Sequence, residues 1–290
     1  MLFRGSGTAL VTPFCDGKID WQAFERTLSA QIEGGTKALI ACGTTGEPTT
    51  LSFDEQREVV EFVLKNADGL CVIAGIGGNN TAEVIKAGRV MGDLGVNGLL
   101  AVTPYYNKTT QDGLVAHYEA VADAVDRPVI LYNVPSRTGL NLEPATVARL
   151  SSHERIVALK EANPSMSQIL EDFRLFGDTL DIYSGNDDLL YPFLTLGSQG
   201  IISVASNLIP SAMSEIIQTF DEGNWSESLQ LSQRFAPLIK LLFAQVSPIP
   251  VKAAMSRLGL LENELRLPLL PLSNEETQPL FQEIERLGLA

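Results

Sequence analysis

Eight short apolar runs recur along the chain, each followed by an amphipathic or polar stretch, and this alternation limits the fold more than any other feature. The runs are Thr8–Val11, Ala38–Cys42, Cys71–Ala74, Gly98–Val102, Val129–Tyr132, Ile156–Leu159, Leu180–Tyr183 and Gly200–Val204. Most of their starts lie roughly 25 to 35 residues apart, the size of a βα unit. In most runs apolar residues occupy successive positions, as in strands buried on both faces of a parallel sheet. Capping signals open helices between and after them: Ser52-Phe53-Asp54-Glu55, Ser165-Met166-Ser167-Gln168 and Ser273-Asn274-Glu275-Glu276. Glu83–Leu94 and Gln111–Val125 carry apolar residues at helical spacing.

This alternation predicts an α/β fold, a (β/α)8 TIM barrel. A doubly wound open sheet would also alternate, and the pattern alone leaves both open. From about Gly223 the strand signals stop, and Asn224–Phe243, Pro250–Leu258 and Asn274–Leu287 read as helices. The expected organisation is therefore a barrel over residues 1–222 that carries the active site. Residues 223–290 form a C-terminal helical region packed on it, since no low-complexity linker intervenes.

Composition narrows the function classes. Apolar residues make up 45% of the chain, enough for a sizeable core. The net charge of −14 disfavours nucleic acid and anionic membrane surfaces as partners. Cys15, Cys42 and Cys71 form no C-x-x-C pair and read as thiols of a reducing compartment. The first residues lack the long apolar stretch of a signal peptide, and no window reaches the ~18 apolar residues of a membrane span. The expectation is a cytoplasmic protein. His117 and His153 are the only histidines, too few for a His-based metal cage, so no metal is expected. Gly75-Ile76-Gly77-Gly78 lacks the remaining elements of a nucleotide loop, so no nucleotide cofactor is expected.

Polar residues cluster just after the strands: Gly43-Thr44-Thr45-Gly46-Glu47, Thr103-Pro104-Tyr105-Tyr106, Tyr132-Asn133-Val134-Pro135-Ser136-Arg137-Thr138, Lys160-Glu161-Ala162 and Ser184-Gly185-Asn186-Asp187-Asp188. In a barrel these points share the face where active sites form. Lys160 is the sharpest candidate. Burial lowers the pKa of a lysine and yields a neutral amine able to attack a carbonyl. Spacing alone equally allows a strand-end lysine paired with Glu161 or another acid. Lys252 is the other lysine that position does not dismiss, although it falls in the C-terminal region. Tyr132, on the neighbouring strand, could shuttle protons during imine formation. The Thr44–Thr45 turn could hold a carboxylate on its backbone N–H groups. Asp187 and Asp188 read as caps of the next helix.

The three motifs around Thr44, Tyr132 and Lys160 resemble, in order, the signatures of the dihydrodipicolinate synthase family. This family belongs to the pyruvate-dependent class I aldolases, which include the N-acetylneuraminate lyases. The resemblance runs from Gly5-Ser6-Gly7-Thr8-Ala9 to Pro248-Ile249-Pro250-Val251-Lys252. It implies a Schiff base between Lys160 and pyruvate, with no metal or organic cofactor. Tyr132, Thr44 and Tyr106 would form the proton relay, Tyr106 coming from a neighbouring subunit of a homotetramer built as a dimer of dimers. Thr44 and Thr45 would hold the pyruvate carboxylate, Ile202 and Gly185 would contact substrate, and Arg137 would bind the carboxylate of L-aspartate 4-semialdehyde. The product would feed lysine and diaminopimelate synthesis. Asn79, Glu83 and Tyr105 match positions of an allosteric lysine site. Pro48, Thr49, Phe53 and Gln56 depart from the lysine-sensitive pattern, so weak or absent inhibition is expected. Asn163-Pro164 departs from the usual Thr/Ser-Gly after Lys-Glu-Ala. The competing readings are another pyruvate-dependent lyase acting on a sugar acid, and a non-catalytic small-molecule sensor on the same barrel.

Overall fold

A computed structural model describes residues 1–289. The chain begins with β1 (Gly5–Ala9), a small hairpin of β2 (Phe14–Cys15) and β3 (Lys18–Ile19), and α1 (Trp21–Glu33). It continues through β4 (Ala38–Ala41), α2 (Phe53–Asn66), β5 (Cys71–Gly75), α3 (Thr81–Asp93), β6 (Gly98–Val102) and α4 (Gln111–Ala124). Next come β7 (Val129–Asn133), α5 (Pro135–Thr138), α6 (Pro144–Leu150), β8 (Ile156–Glu161), α7 (Met166–Phe176), β9 (Asp181–Ser184), α8 (Leu190–Thr195), β10 (Gly200–Ser203) and α9 (Pro210–Asp221). Three helices follow: α10 (Trp225–Leu242), α11 (Ile249–Arg257) and α12 (Asn274–Leu287).

The eight longer strands close into a parallel barrel in the order β1-β10-β9-β8-β7-β6-β5-β4, with β4 returning to β1. The barrel, rather than an open sheet, is therefore the fold. The first strand starts at Gly5, three residues before the apolar run that marks it in the sequence. Gly5 and Gly200 pair at the closing seam, where a Cβ on Gly200 would sit 2.0 Å from the Gly5 carbonyl oxygen. Close packing at this seam calls for glycine, which hides the strand from a reading based on hydrophobicity.

Strand alternation sends side chains both ways. Inward, Ile40, Ile73, Leu100, Ile130, Tyr183 and Ile202 fill the barrel. Outward, Leu39, Leu99, Leu131 and Leu159 meet the helices in a second cluster. Burying each such leucine contributes on the order of 2 kcal/mol, and truncating one to alanine costs about 2–5 kcal/mol. Ser52 with Glu55 and Ser273 with Glu276 form reciprocal capping boxes. Ser165 accepts from the Gln168 N–H, but the Gln168 side chain turns away to other partners.

The C-terminal helices form a third cluster. Phe235, Leu238 and Leu242 of α10, Met255 of α11 and Ile284 of α12 pack with Met213, Ile216 and Ile217 of α9. Among the described residues, no helix is long and apolar enough to cross a membrane.

Candidate active site

The segments that follow the strands converge on a cavity of about 420 Å³. Thr44, Thr45, Tyr132, Arg137, Lys160 and Gly185 all line it. Lys160 lies inside β8, in direct register with Tyr132 on the adjacent β7, and its amine is 4.3 Å from the centre of the Tyr132 ring. Lys160 is 5% exposed. Burial is the largest influence on it and holds the amine down at about 7, against an upward pull from Asp187 and a further push down from Arg137. Glu161, the next residue, points to the opposite face of the strand and takes both of its carboxylate oxygens to Asn133 Nδ2, at 3.1 and 3.0 Å. The strand-end pairing of Lys160 with Glu161 therefore does not form.

Tyr132 is buried, which raises its hydroxyl pKa, while Arg137 and the Thr44 side chain favour the ionised form. Thr44–Gly46 is a single 3-10 turn entered through Gly43, and its Glu47 end lies in the left-handed region with φ 54°. The Gly46 N–H donates to the Gly43 carbonyl at 2.9 Å. The Gly46 carbonyl accepts from Thr12 Oγ1 at 2.8 Å, which ties the turn to the segment after β1. Arg137, on the short α5, is exposed at the cavity wall. Gly185 is a glycine of close approach: a Cβ there would lie 3.1 Å from Lys160 Cε and 2.8 Å from Ala162 Cβ.

Other expected residues lie elsewhere. Ile202 is fully buried in the barrel interior with Tyr132 and Ala162, and Val204 forms the cavity wall beyond that strand. Tyr106 is not brought to Lys160 within the chain; it is 91% exposed with φ 70°. Tyr105 lines a second, more apolar cavity of about 250 Å³ on the other side of Tyr132 and Arg137. The Asn79 carbonyl accepts from Asn107 Nδ2 at 2.9 Å, and the Glu83 carboxylate is 3.8 Å from the Lys86 amine. Gln56 Nε2 donates to the Pro48 carbonyl at 2.9 Å.

Three features escaped the sequence reading. Asp187 does not cap its own helix. It accepts from the Ser203 hydroxyl and from the N–H groups of Val204 (3.1 Å) and Ala205 (3.3 Å), binding the end of β9 to that of β10. Phe243–Ser247, in the C-terminal region, completes the cavity wall, and the Ser247 carbonyl accepts from Arg137 at 3.5 Å. Behind β8, Asn163 joins a polar network: its N–H donates to Glu161 at 2.5 Å and its amide to Asn141 and Gln168, each at 3.0 Å. The departure at Asn163-Pro164 is thus absorbed outside the cavity. Asp172 is buried against Glu161, and both carboxyls are raised by burial; a proton on Asp172 turns two facing acceptors into a donor and an acceptor. Among the described residues, no cluster of three or more His, Cys, Asp or Glu could hold a metal ion.

Comparison with known proteins gives one answer. The model of the dihydrodipicolinate synthetase family matches residues 2–287. A 4-hydroxy-tetrahydrodipicolinate synthase of Alkaliphilus oremlandii is 46% identical over 289 residues, covering 99% of this chain and all of the relative. The crystal structure of dihydrodipicolinate synthase from Thermotoga maritima superposes with a TM-score of 0.98 at 42% identity, over 100% of both chains. A dihydrodipicolinate synthase from Acinetobacter baumannii, solved in complex with pyruvate, superposes with a TM-score of 0.97 at 39% identity, over 99% of this chain and 100% of the other.

Proposed function

The chain belongs to the dihydrodipicolinate synthetase family, and from that premise we propose how its own residues carry out the condensation of pyruvate with L-aspartate 4-semialdehyde to 4-hydroxy-tetrahydrodipicolinate, a step of lysine and diaminopimelate synthesis. The neutral amine of Lys160 attacks the C2 carbonyl of pyruvate, and the carbinolamine loses its oxygen as water to give the imine. Tyr132, with Thr44 beside it, carries the protons these steps require. Loss of a C3 proton gives the enamine, whose C3 forms the new carbon–carbon bond to the aldehyde while the aldehyde oxygen takes a proton. The amine of the second substrate then attacks C2, closes the ring and displaces Lys160. One water is released overall. Backbone N–H groups of the Thr44–Thr45 turn hold the pyruvate carboxylate, Arg137 pairs with the carboxylate of the aldehyde, Gly185 lines the pocket beside Lys160, and Ile202 supports it from the barrel interior, packed with Tyr132 and Ala162.

The observation that carries this reading is the amine of Lys160 buried against Tyr132, inside a cavity that also holds Thr44, Thr45 and Arg137, where burial favours its neutral form. Borohydride reduction in the presence of pyruvate, followed by peptide mass mapping, tests it. The expected adduct is on Lys160 and is absent in Lys160→Met. An adduct on any other lysine overturns the assignment. A coupled assay with aspartate semialdehyde, set against N-acetylneuraminate and 2-keto-3-deoxygluconate, tests the second substrate.

The assembly belongs to the same proposal: a homotetramer in which Tyr106 of one subunit completes the relay of its neighbour. Support comes from a nearly fully exposed tyrosine in a left-handed conformation, and from the apolar cavity behind Tyr132 lined by Cys42, Leu100 and Val102. Sedimentation of the wild type and of Tyr106→Ala, with turnover of each, checks it. Residues 1–222 act as the catalytic barrel and 223–290 as its brace. The three free cysteines accord with a cytoplasmic location. Lysine inhibition is weak or absent: Asn79, Glu83 and Tyr105 stand at the matching positions, but Pro48, Thr49, Phe53 and Gln56 depart from the lysine-sensitive pattern, and Gln56 is engaged with the Pro48 carbonyl. Strong inhibition at sub-millimolar lysine would reverse this.

A further inference from the structure

Lys252 is a second deeply buried lysine, and the condensation has no use for its amine. It projects from α11, lines neither cavity and is fully enclosed. Its Nζ donates to Glu47 Oε1 at 2.5 Å and to the Glu264 carbonyl at 2.9 Å, and lies 4.2 Å from the centre of the Phe14 ring. The other oxygen of Glu47 accepts from the Arg266 N–H at 3.2 Å. The Arg266 guanidinium also stacks on Phe14, at 4.5 Å, and reaches both carboxylate oxygens of Glu55 at 3.0 and 2.7 Å. Both oxygens of Glu47 are thus held by residues 205 and 219 positions further along the chain.

Glu47 is the hinge of the turn that carries Thr44 and Thr45. Its φ of 54° is unfavourable for a residue with a Cβ, so something must hold it there. Its N–H donates to the Thr44 carbonyl at 3.2 Å, so its position fixes the carbonyls and N–H groups of that turn. Its charge also stands two residues from Thr45, in a turn that would receive an anion. Unneutralised, it would repel a carboxylate. A buried ion pair roughly breaks even against an apolar pair in stability, so stability alone does not account for its presence beside this turn.

We propose that Glu47 and Lys252 are positioning residues for the Thr44–Thr45 turn. The ion pair holds the curvature of the turn and cancels the charge beside it, so Lys252 on α11 sets the affinity for pyruvate without lining the cavity. This inference rests on the assignment of that turn to the pyruvate carboxylate.

The test uses the full-length protein with pyruvate and borohydride. Glu47→Gln combined with Lys252→Met removes both charges together and leaves no orphaned ion. The double variant is expected to trap pyruvate on Lys160 to the same final extent, with the half-saturating pyruvate concentration raised ~10-fold, about what one lost charge-assisted hydrogen bond gives. The rate at saturating pyruvate should change far less than this. Glu47→Asp keeps both charges but draws the carboxylate back by one carbon. It should raise half-saturation ~3-fold, and it decides the matter if the double variant does not fold. A purely structural pair would lower the melting temperature and leave half-saturation unmoved. Half-saturation within about twofold of wild type in a folded variant overturns the inference. Wild type that traps no pyruvate on Lys160 overturns the assignment of the site instead, so the two failures are distinguishable.

Discussion

The acidity of Lys160 is the quantity on which the chemistry turns, and it can be titrated directly. Trace acetylation with acetic anhydride across a pH series, followed by peptide mass mapping, reads the neutral fraction of each lysine in the folded protein. The same peptide from denatured protein serves as the reference. Lys160 should titrate with a midpoint of about 7, against an ordinary value of 10.5. At pH 8 such an amine is ~90% neutral and an ordinary lysine ~0.3%, so its reactive fraction is ~300-fold larger. The burial that lowers it outweighs Asp187, which pulls the other way. Asp187→Asn should therefore move the midpoint lower still; its one remaining oxygen keeps the bonds from the Ser203 hydroxyl and the Ala205 N–H, while the Val204 N–H loses its acceptor. A midpoint above 9 in the wild type, or an upward move in Asp187→Asn, would refute the claim that desolvation controls this amine.

Three further perturbations follow from the same geometry. Lys160→Met should abolish turnover yet stabilise the fold: the folded midpoint is depressed, so the unfolded chain binds more protons between about 7 and 10.5, and the penalty of roughly 5 kcal/mol is fully present below pH 7 and fades as pH rises to 10.5. Urea melts at pH 6.5 and 9.5 check it, and a gain that grows with pH would contradict it. Tyr132→Phe should keep the fold and lower kcat by ~10²–10⁴-fold, with borohydride trapping slowed but still on Lys160. Asp172→Asn should stabilise by on the order of 1–3 kcal/mol at pH 8. Both carboxyls are raised in the folded state, so stability from this pair falls as pH climbs above the carboxylate range; denaturant melts should show a smaller gain at pH 5 than at pH 8.

Strands that bury branched residues on both faces were legible as apolar runs, and the polar residues after them marked the face of the site because a parallel barrel gathers those ends together. What escaped was whatever depends on partners distant in the chain. The β2–β3 hairpin is two residues a side and carries no run at all. Gln168 has the spacing of the reciprocal half of a cap, but its amide is drawn to Glu161 and Leu142, contacts no local pattern contains. Asp187 has the spacing of a helix cap and serves β10 instead, because burial among unpaired N–H groups is a stronger demand than a helix start in solvent. The sequence does not reveal the role of Lys252 for the same reason: its partner Glu47 lies 205 residues earlier.

Lys160 and Glu161 are neighbours in β8, so the alternation that sends the amine inward sends the acid outward. In the parallel register, Tyr132 stands beside Lys160 and Asn133 beside Glu161. The Asn133 amide reaches both oxygens of Glu161, and its own Oδ1 accepts from the Leu142 N–H at 2.9 Å. This side-chain clasp joins β7 to β8 one residue beyond the inner pair and on the opposite face. Slipping the two strands by one register would separate Tyr132 from Lys160 and would also leave a buried acid and a buried amide unpaired, at a cost of several kcal/mol. The spacing between amine and phenol inside the barrel is therefore set from outside it, by residues that never meet substrate. The polar network behind β8, Asn163 included, belongs to the site for that reason.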